Sequence, residues 1–120
     1  MSKVSVIIPV FNNPDGLSNV LESLLEQGYP KAEYEIIVAD NRSTDESQAV
    51  AQEYTRNHPQ LIKNVSEDKV QSSYAARNRG VQIAKGGILA FTDSDCVPVE
   101  SWLAEGCKAL EKNNASMVAG

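Results

Sequence analysis

Short apolar segments alternate along this chain with longer stretches whose apolar residues are spaced as in amphipathic helices. Four of the short segments contain few polar residues, at positions 4–10, 34–39, 61–65 and 88–91. Apolar runs of this length are typical of strands inside a parallel sheet. We therefore predict four strands at these positions, with the run at 88–91 buried on both of its faces.

The stretch after the first predicted strand has the clearest helical pattern. Asn13 suits an N-cap, and Pro14 suits the first helical position. Apolar residues then recur on one helical face, at Leu17, Val20, Leu21, Leu24 and Leu25. Gly28 and Pro30 are expected to end this helix.

Three further helices and one more strand are predicted after the second strand. The second helix is expected to start at a capping box, in which Ser43 caps the helix and Glu46 reaches back to it. The third helix is expected at 74–85, and the fourth contains Trp102. A fifth strand is predicted at 116–119.

This alternation of strands and helices predicts an α/β fold. Its mainly parallel, twisted sheet would have helices on both faces, joined by right-handed crossovers. A strand order of 3-2-1-4, as in half of a doubly wound sheet, brings the loops after strands one, two and four to one edge. Residues 10–12, 40–41 and 93–95 would then share a single cleft.

Two carboxylates, Asp93 and Asp95, follow the fourth predicted strand with only Ser94 between them. Carboxylates this close repel one another unless a cation lies between them, and hard divalent ions prefer such oxygen ligands. A Mg²⁺ or Mn²⁺ site is therefore one interpretation. The same residue types also occur in ordinary exposed turns, so the motif alone leaves both interpretations open.

Composition restricts the ligand class. The chain has 120 residues, 42% of them hydrophobic and 22% charged, which is typical of one globular domain. A net charge of −5 argues against nucleic-acid binding, although it allows a small phosphorylated ligand. No apolar run approaches the roughly 20 residues of a membrane span, so we expect a cytoplasmic protein. Cys96 and Cys107 lack metal-site spacing and are assigned no role.

The cleft lacks the glycine patterns that usually bind phosphate. Residues 10–16 contain neither GxGxxG nor GxxxxGK[ST]. A diphosphate in the cleft would therefore need a metal ion to balance its charge. Asp40 would be placed to accept hydrogen bonds from a base or ribose, although a role as a turn residue also explains it.

Four segments together resemble the family 2 glycosyltransferases, which have the Rossmann-like GT-A fold. They read VSVIIPVFN at 4–12, EIIVADNRSTD at 35–45, ARNRG at 76–80 and FTDSD at 91–95. Their order and spacing are those of the family, and the resemblance covers essentially the whole chain. It implies one nucleotide-sugar-binding domain over residues 1–120.

By this resemblance, the chain binds a nucleoside-diphosphate sugar, either a UDP-sugar or a GDP-sugar, with UDP favoured. The expected binding residues are Pro9, Val10, Phe11, Asn12, Asp40, Asn41, Arg77, Asn78, Asp93 and Ser94. Asp93 and Asp95 are expected to hold Mg²⁺ or Mn²⁺. Arg79 is weighed beside Arg77 as a contact to phosphate or sugar. Phe11 and Tyr74 suit contact with the base and packing in the core equally well.

The resemblance also implies the reaction, a metal-assisted transfer with inversion to a hydroxyl of a saccharide or lipid-linked acceptor. This is the chemistry of cell wall and polysaccharide biosynthesis. Members of the family continue well past residue 120, so the acceptor surface and the catalytic base are expected beyond it. Glu100, Glu105 and Glu111 are interpreted as solvated helix residues.

Two alternatives remain open, and a third is disfavoured. The missing base favours either a non-catalytic nucleotide-sugar-binding or assembly module, or a fragment of a longer enzyme. A phosphotransfer receiver or haloacid-dehalogenase-like phosphatase is disfavoured, because both place acidic residues after strand one, where this chain has Val10, Phe11 and Asn12. An exposed fifth strand could also pair with a second copy of the chain to form a homodimer.

Overall fold

The computed structural model describes the backbone of residues 4–113 and 117–118 and the side chains of residues 4–110. Within this part of the chain, five strands alternate with four α-helices, and a 3₁₀ turn at Lys31–Glu33 precedes the second strand. In chain order the elements are β1 (Val4–Val10), α1 (Pro14–Leu25), β2 (Tyr34–Asp40), α2 (Ser47–Asn57), β3 (Ile62–Ser66), α3 (Ser73–Ile83), β4 (Ile88–Phe91), α4 (Trp102–Asn113) and β5 (Met117–Val118). The predicted α/β class is confirmed.

The strands form one parallel sheet in the order β3-β2-β1-β4-β5, so the predicted order 3-2-1-4 is confirmed. Val10 at the end of β1 is in register with Asp40 at the end of β2. On the other side of β1, Ile7 is in register with Phe91, the last residue of β4. The carboxyl ends of these three strands therefore lie at the same edge, with β1 extending past β4.

Helices cover both faces of the sheet, as predicted. On one face, Val6 and Ile8 of β1 belong to the same buried cluster as Leu21 of α1 and Leu103 of α4. On the other face, α3 lies so close to β1 that a Cβ at Gly80 would be only 2.8 Å from the Ile7 side chain. The lack of a side chain at Gly80 allows this close packing. Among the helices described, none is long and apolar enough to cross a membrane.

The predicted burial holds for the central strands but not for β4. Every residue of β1 and β2 is buried, as the continuous apolar runs predict. In β4 only Ala90 is buried, and Ile88, Leu89 and Phe91 remain partly exposed. The expectation that β4 is buried on both faces is therefore wrong, because Phe91 borders an open cavity beneath α3 instead of a packed layer.

The cap of α1 is confirmed, but that of α2 is not. The Asn13 side chain accepts a hydrogen bond from Gly16 N at 3.1 Å, as an N-cap should. The predicted capping box is wrong, because α2 starts at Ser47, the Glu46 side chain makes no cap hydrogen bond, and Asp45 Oδ1 accepts instead from Ser47 N at 2.9 Å. Ser43 instead accepts a hydrogen bond from Asn12 N at 3.0 Å, so its hydroxyl joins the loops after β1 and β2.

The remaining boundaries differ from the prediction by one or two residues. β3 is shifted by one residue from the predicted 61–65. Helix α3 ends two residues earlier than predicted and is capped by Ser72, which accepts from Ala75 N at 3.0 Å. Of the fifth strand predicted at 116–119, positions 117–118 form β5, and residues 116 and 119 lie outside the described residues.

A buried carboxylate stabilises the edge of the sheet opposite the predicted cleft. Glu35 accepts hydrogen bonds from Ser5 Oγ at 2.6 Å, Lys63 Nζ at 2.8 Å and Lys85 N at 2.7 Å. Burial alone would raise the pKa of Glu35, but the hydrogen bonds from Lys63, Ser5 and Lys85 outweigh it and lower the pKa below its ordinary value. This carboxylate joins β1, β2, β3 and the turn before β4.

Candidate functional site

Two adjoining cavities lie at the carboxyl edge of the sheet. The central cavity has a volume of about 340 Å³ and is lined by Pro9, Val10, Phe11, Asn13, Asn41, Ser73, Asp93, Ser94 and Asp95. The side cavity, of about 310 Å³, lies between α3 and β4 and is lined by Tyr74, Arg77, Asn78, Val81, Phe91, Thr92 and Asp93. Asp93 borders both cavities, so together they can bind one extended ligand.

The acidic pair sits on a tight turn directly after β4. Cys96 N donates a hydrogen bond to Asp93 O at 3.1 Å, which closes the turn and brings the side chains of residues 93, 95 and 96 together. One ligand atom from each of Asp93, Asp95 and Cys96 lies within 4.8 Å of the others. Two carboxylates at this separation suit a divalent ion that also binds phosphate oxygens. The residues present therefore fit the predicted Mg²⁺ or Mn²⁺.

Helix α1 holds this turn in place from both of its ends. At its N-terminus, Asn13 Nδ2 donates to Ser94 Oγ at 3.3 Å. Beyond its C-terminus, the buried Gln27 donates from Nε2 to Val99 O at 2.7 Å and accepts at Oε1 from Leu103 N at 3.0 Å. The segment that carries the acidic pair is thus connected to α1 and the residues after it at Ser94, between the two carboxylates, and at Val99 and Leu103, which follow them.

Gly16 makes the close contact between α1 and the acidic turn possible. A Cβ at this position would lie 2.2 Å from Ser94 O and 2.3 Å from Asn13 Nδ2. Both distances are far below van der Waals separation. The absence of a side chain at Gly16 therefore allows the first turn of α1 to pack directly on the loop that carries the Asp93 and Asp95 carboxylates.

Asn41 organises another wall of the central cavity. It is buried, and its Nδ2 donates to Glu67 O at 3.0 Å and to Val70 O at 2.8 Å. Gln71 Nε2 in turn donates to Asn41 O at 2.6 Å and to Asn41 Oδ1 at 3.0 Å. The loop between β3 and α3 is therefore held against the end of β2, next to Ser73, which opens α3 and lines the cavity.

Asn12 and Asp40 do not line the central cavity. Asn12, in the left-handed region at φ 48°, accepts at Oδ1 from Thr44 N at 2.8 Å. Asp40 accepts at Oδ2 from Ser43 N and Gln48 Nε2, both at 3.0 Å, and it borders a smaller cavity of about 70 Å³ beside α2. Its other oxygen, Oδ1, is buried and has no hydrogen-bond partner within the described part of the chain. One carboxylate oxygen of Asp40 is therefore free to accept a hydrogen bond.

The two candidate arginines differ in their surroundings. The guanidinium of Arg77 lies 3.5 Å from the Asp93 carboxylate and lines the side cavity together with Asn78. Arg79 donates instead to Ser66 O at 3.3 Å and to Gln82 Oε1 at 3.2 Å. Arg77 is therefore the better-placed residue for contact with a phosphorylated ligand.

Exposed aromatic rings border the site. Phe11 is 51% exposed at the central cavity, and Tyr74 is 71% exposed at the side cavity. Neither packs in the hydrophobic core, so the alternative explanation for Phe11 and Tyr74 as core residues does not hold. Trp102, by contrast, packs against the core cluster from α4. Exposed rings beside a polar cavity are suited to stacking on a planar ligand such as a nucleobase.

The sequence patterns did not identify several residues that build this site. Asn13 was predicted only as a helix cap, and Gly16, Gln27 and Ser73 were given no role. The signal for Gly16 was available, because a glycine in the first turn of an otherwise regular helix often marks a close approach. Gln27 gave no local signal, since its partners Val99 and Leu103 lie more than 70 residues away in the chain.

Solved structures with this architecture define the class of protein. The mannosyltransferase PcManGT from Pyrobaculum calidifontis, solved with GDP-Man and Mn²⁺, has a TM-score of 0.83 and 30% identity, covering 90% of this chain and 32% of that one. S. aureus TarS 1-349, solved with UDP-GlcNAc, has a TM-score of 0.78 and 26% identity, covering 95% of this chain and 32% of that one. The fold is that of the GT-A glycosyltransferases.

Sequence comparison then gives the family. A profile described as Glycosyl transferase family 2 matches residues 5–120, and this chain belongs to that family. Glycosyltransferase AglE from Haloferax volcanii is 39% identical over 117 residues, which cover 98% of this chain and 38% of AglE. The poly(ribitol-phosphate) beta-glucosyltransferase of Bacillus spizizenii is 41% identical over 95 residues, covering 78% of this chain and 15% of that enzyme. This chain therefore spans well under half the length of these relatives.

Proposed function

We propose that this chain is the donor-binding part of an inverting, metal-assisted glycosyltransferase that uses a nucleoside-diphosphate sugar, with UDP-sugars favoured. The observation that carries the proposal is the acidic turn at Asp93 and Asp95, which shares one cavity with the exposed Phe11 at the sheet-end edge. Open α/β sheets bind ligands at this edge. The mannosyltransferase with GDP-Man and Mn²⁺ and the TarS complex with UDP-GlcNAc support the ligand class.

Each side chain has a defined role in this proposal. Phe11, which is exposed at the central cavity, stacks on the base. Asp93 and Asp95 hold Mg²⁺ or Mn²⁺, which when bound supplies positive charge next to the departing nucleoside diphosphate. Arg77 adds a second positive charge 3.5 Å from Asp93. The ion and Arg77 would together offset most of the negative charge that a diphosphate and the two carboxylates bring together, in a protein whose net charge is already −5.

Transfer also requires a base that deprotonates the acceptor hydroxyl. Within residues 4–110, the central and side cavities are lined by no carboxylate other than Asp93 and Asp95. Glu100 and Glu105 are exposed and lie outside both linings, and the side chain of Glu111 lies outside the described residues. This observation favours a second candidate function for the chain by itself, namely binding of a nucleotide sugar without its transfer.

Titration calorimetry with UDP, GDP and their sugars, with and without Mn²⁺, tests the proposal. Loss of a group that only supports a metal ligand costs about 10- to 100-fold in metal affinity, so Asp95→Ala is expected to weaken Mn²⁺-dependent binding by at least about 100-fold. The matched control is Glu100→Ala, which removes the same charge from an exposed position outside the cavity. Equal binding by Asp95→Ala and Glu100→Ala would refute the proposed site.

Activity measurements separate the two candidate functions. Release of free sugar or transfer to an added saccharide by the chain alone, dependent on Mn²⁺, would identify it as an active transferase. Binding of the nucleotide sugar with no turnover would identify a donor-binding module.

A further inference from the structure

A thiol accompanies the two carboxylates on the acidic turn. The Cys96 sulfur lies 3.9 Å from Asp95 Oδ1, and a ligand atom of Cys96 falls within the same 4.8 Å cluster as those of Asp93 and Asp95. The side chain is partly exposed, unlike Cys107, the other cysteine of the chain, which is 5% exposed and packs in the core. The Cys96 sulfur therefore lies within reach of an ion held between the two carboxylates, while Cys96 lines neither of the two cavities.

The order of residues on the turn explains this position. The hydrogen bond from Cys96 N to Asp93 O closes a four-residue turn, so residue 96 returns next to residue 93. Pro98, two residues further on, is buried, and Gln27 binds Val99 O at 2.7 Å. The backbone that carries Cys96 is thus fixed on both sides, and the sulfur is held close to the carboxylates by the fold.

Sulfur changes which ions such a site prefers. Carboxylates alone suit hard ions such as Mg²⁺, whereas a thiolate adds a soft donor that raises the affinity for thiophilic ions such as Zn²⁺ and Cd²⁺ relative to that for Mg²⁺. We infer that Cys96 is a third protein ligand of the Asp93 and Asp95 site and that it shifts the ion preference of this site away from Mg²⁺. This inference rests on the proposed function, because it assigns a further residue to the same metal site.

Binding of the ion by Cys96 exchanges the thiol proton for the metal ion. The sulfur donates an electron pair to the ion as the metal–sulfur bond forms, and the thiol proton passes to the buffer. No oxidation is involved, and each ion bound through sulfur releases one proton. The thiol is then blocked from reaction with alkylating reagents.

Titration of the chain with Cd²⁺ alone tests the inference, because a cadmium–sulfur bond produces a charge-transfer absorption in the ultraviolet. The wild type and the control Cys107→Ala are expected to show this absorption, and Cys96→Ser is expected to lose it. Cd²⁺ affinity should fall on the order of tenfold or more in Cys96→Ser, while Mg²⁺ affinity changes by less than about twofold. Saturating Cd²⁺ should also protect Cys96 from alkylation.

The outcomes separate this inference from the proposed function. If Cys96→Ser retains the absorption and the Cd²⁺ affinity of the wild type while Asp95→Ala loses Mn²⁺-dependent UDP binding, only the inference about Cys96 is overturned. If the folded wild type binds neither Cd²⁺ nor Mn²⁺, both proposals fail. Circular dichroism of each variant checks that the fold is retained.

Discussion

Replacing Gly16 with alanine tests whether the packing of α1 on the acidic turn controls the site. Helix propensity alone predicts that Gly16→Ala is stabilising, by about 0.5–1 kcal/mol within a helix. The structure predicts the opposite. The new Cβ would lie 2.2 Å from Ser94 O and 2.3 Å from Asn13 Nδ2, about 1 Å or more short of van der Waals separation.

The expected change in the free energy of unfolding follows from the atoms of Ser94 and Asn13 that the new Cβ would displace. Overpacking of this kind costs about 1–3 kcal/mol. Displacement of Asn13 would also lose its cap on Gly16 N, now at 3.1 Å, which is worth about 1 kcal/mol. After subtraction of the propensity gain, we expect a net loss of about 1–3 kcal/mol in the free energy of unfolding.

The same displacement should weaken the metal site. A binding site must be held within about 0.5 Å of its working geometry, and Ser94 lies between the two carboxylates. Gly16→Ala is therefore expected to weaken Mn²⁺ affinity by at least about tenfold in protein that remains folded. Urea denaturation measures the stability change, and titration calorimetry measures the affinity.

Gly87→Ala is the matched control, because a Cβ at this exposed position meets no atom within 4 Å. It should change stability by less than about 0.5 kcal/mol and leave Mn²⁺ affinity unchanged. Stabilisation by Gly16→Ala with wild-type Mn²⁺ affinity would refute the reasoning about this contact.

Three further predictions concern the scaffold around the site. The lowered pKa of Glu35 means that its contribution to stability is fully present above 4.5, the ordinary value, and is lost as the pH falls through the folded-state pKa. Urea denaturation across this range should therefore show a smaller acid-induced loss of stability for Glu35→Gln than for the wild type, and equal losses would contradict the assignment. Arg42 is exposed and has a φ of 62°, a conformation that costs a residue with a side chain about 1–2 kcal/mol. Arg42→Gly should raise the unfolding free energy by about 0.5–1 kcal/mol and Arg42→Val should lower it, and a reversal of these signs would show that the loop is not strained. Gln27→Ala leaves the buried Leu103 N without its partner, at a cost of about 1–3 kcal/mol, and removes one of the two hydrogen bonds that Val99 O accepts, so a urea midpoint equal to that of the wild type would exclude this anchoring role.

The fold was predictable because its signals are local. The runs at 4–10 and 34–39 are too continuous for exposed strands, and the periodicity of Leu17 to Leu24 identifies the buried face of α1. The position of Asp93 and Asp95 at the same sheet edge as the ends of β1 and β2 followed from the predicted strand order. These features depend on neighbours in the sequence or on the general geometry of parallel sheets.

The environment of Asp40 required more than a strand assignment. It is two residues beyond Val38 and four beyond Ile36, whose side chains belong to the core cluster on the α1 face, so the two-residue period places Asp40 on that same face beside α2. The central cavity is bordered instead by Asn41, one residue later. Alternation along β2 was therefore a usable signal for separating these two polar residues.

Other features depend on contacts between distant segments. Ser43 fits a capping box in sequence, but its hydroxyl is used by Asn12 N, 31 residues away. Asn13 bonds Ser94 across 81 residues, and Gln27 bonds Leu103 across 76. No pattern within a window of the sequence records such pairs, because their energy comes from tertiary packing and not from local propensity.

The most direct test of the metal and nucleotide site is a crystal structure of the chain with UDP and Mn²⁺, with anomalous diffraction used to locate the ion. We predict one anomalous peak within coordinating distance of the Asp95 carboxylate and the diphosphate, with the base next to Phe11 in the central cavity. An ion bound elsewhere, or a nucleotide bound away from the ends of β1, β2 and β4, would contradict this account of the site.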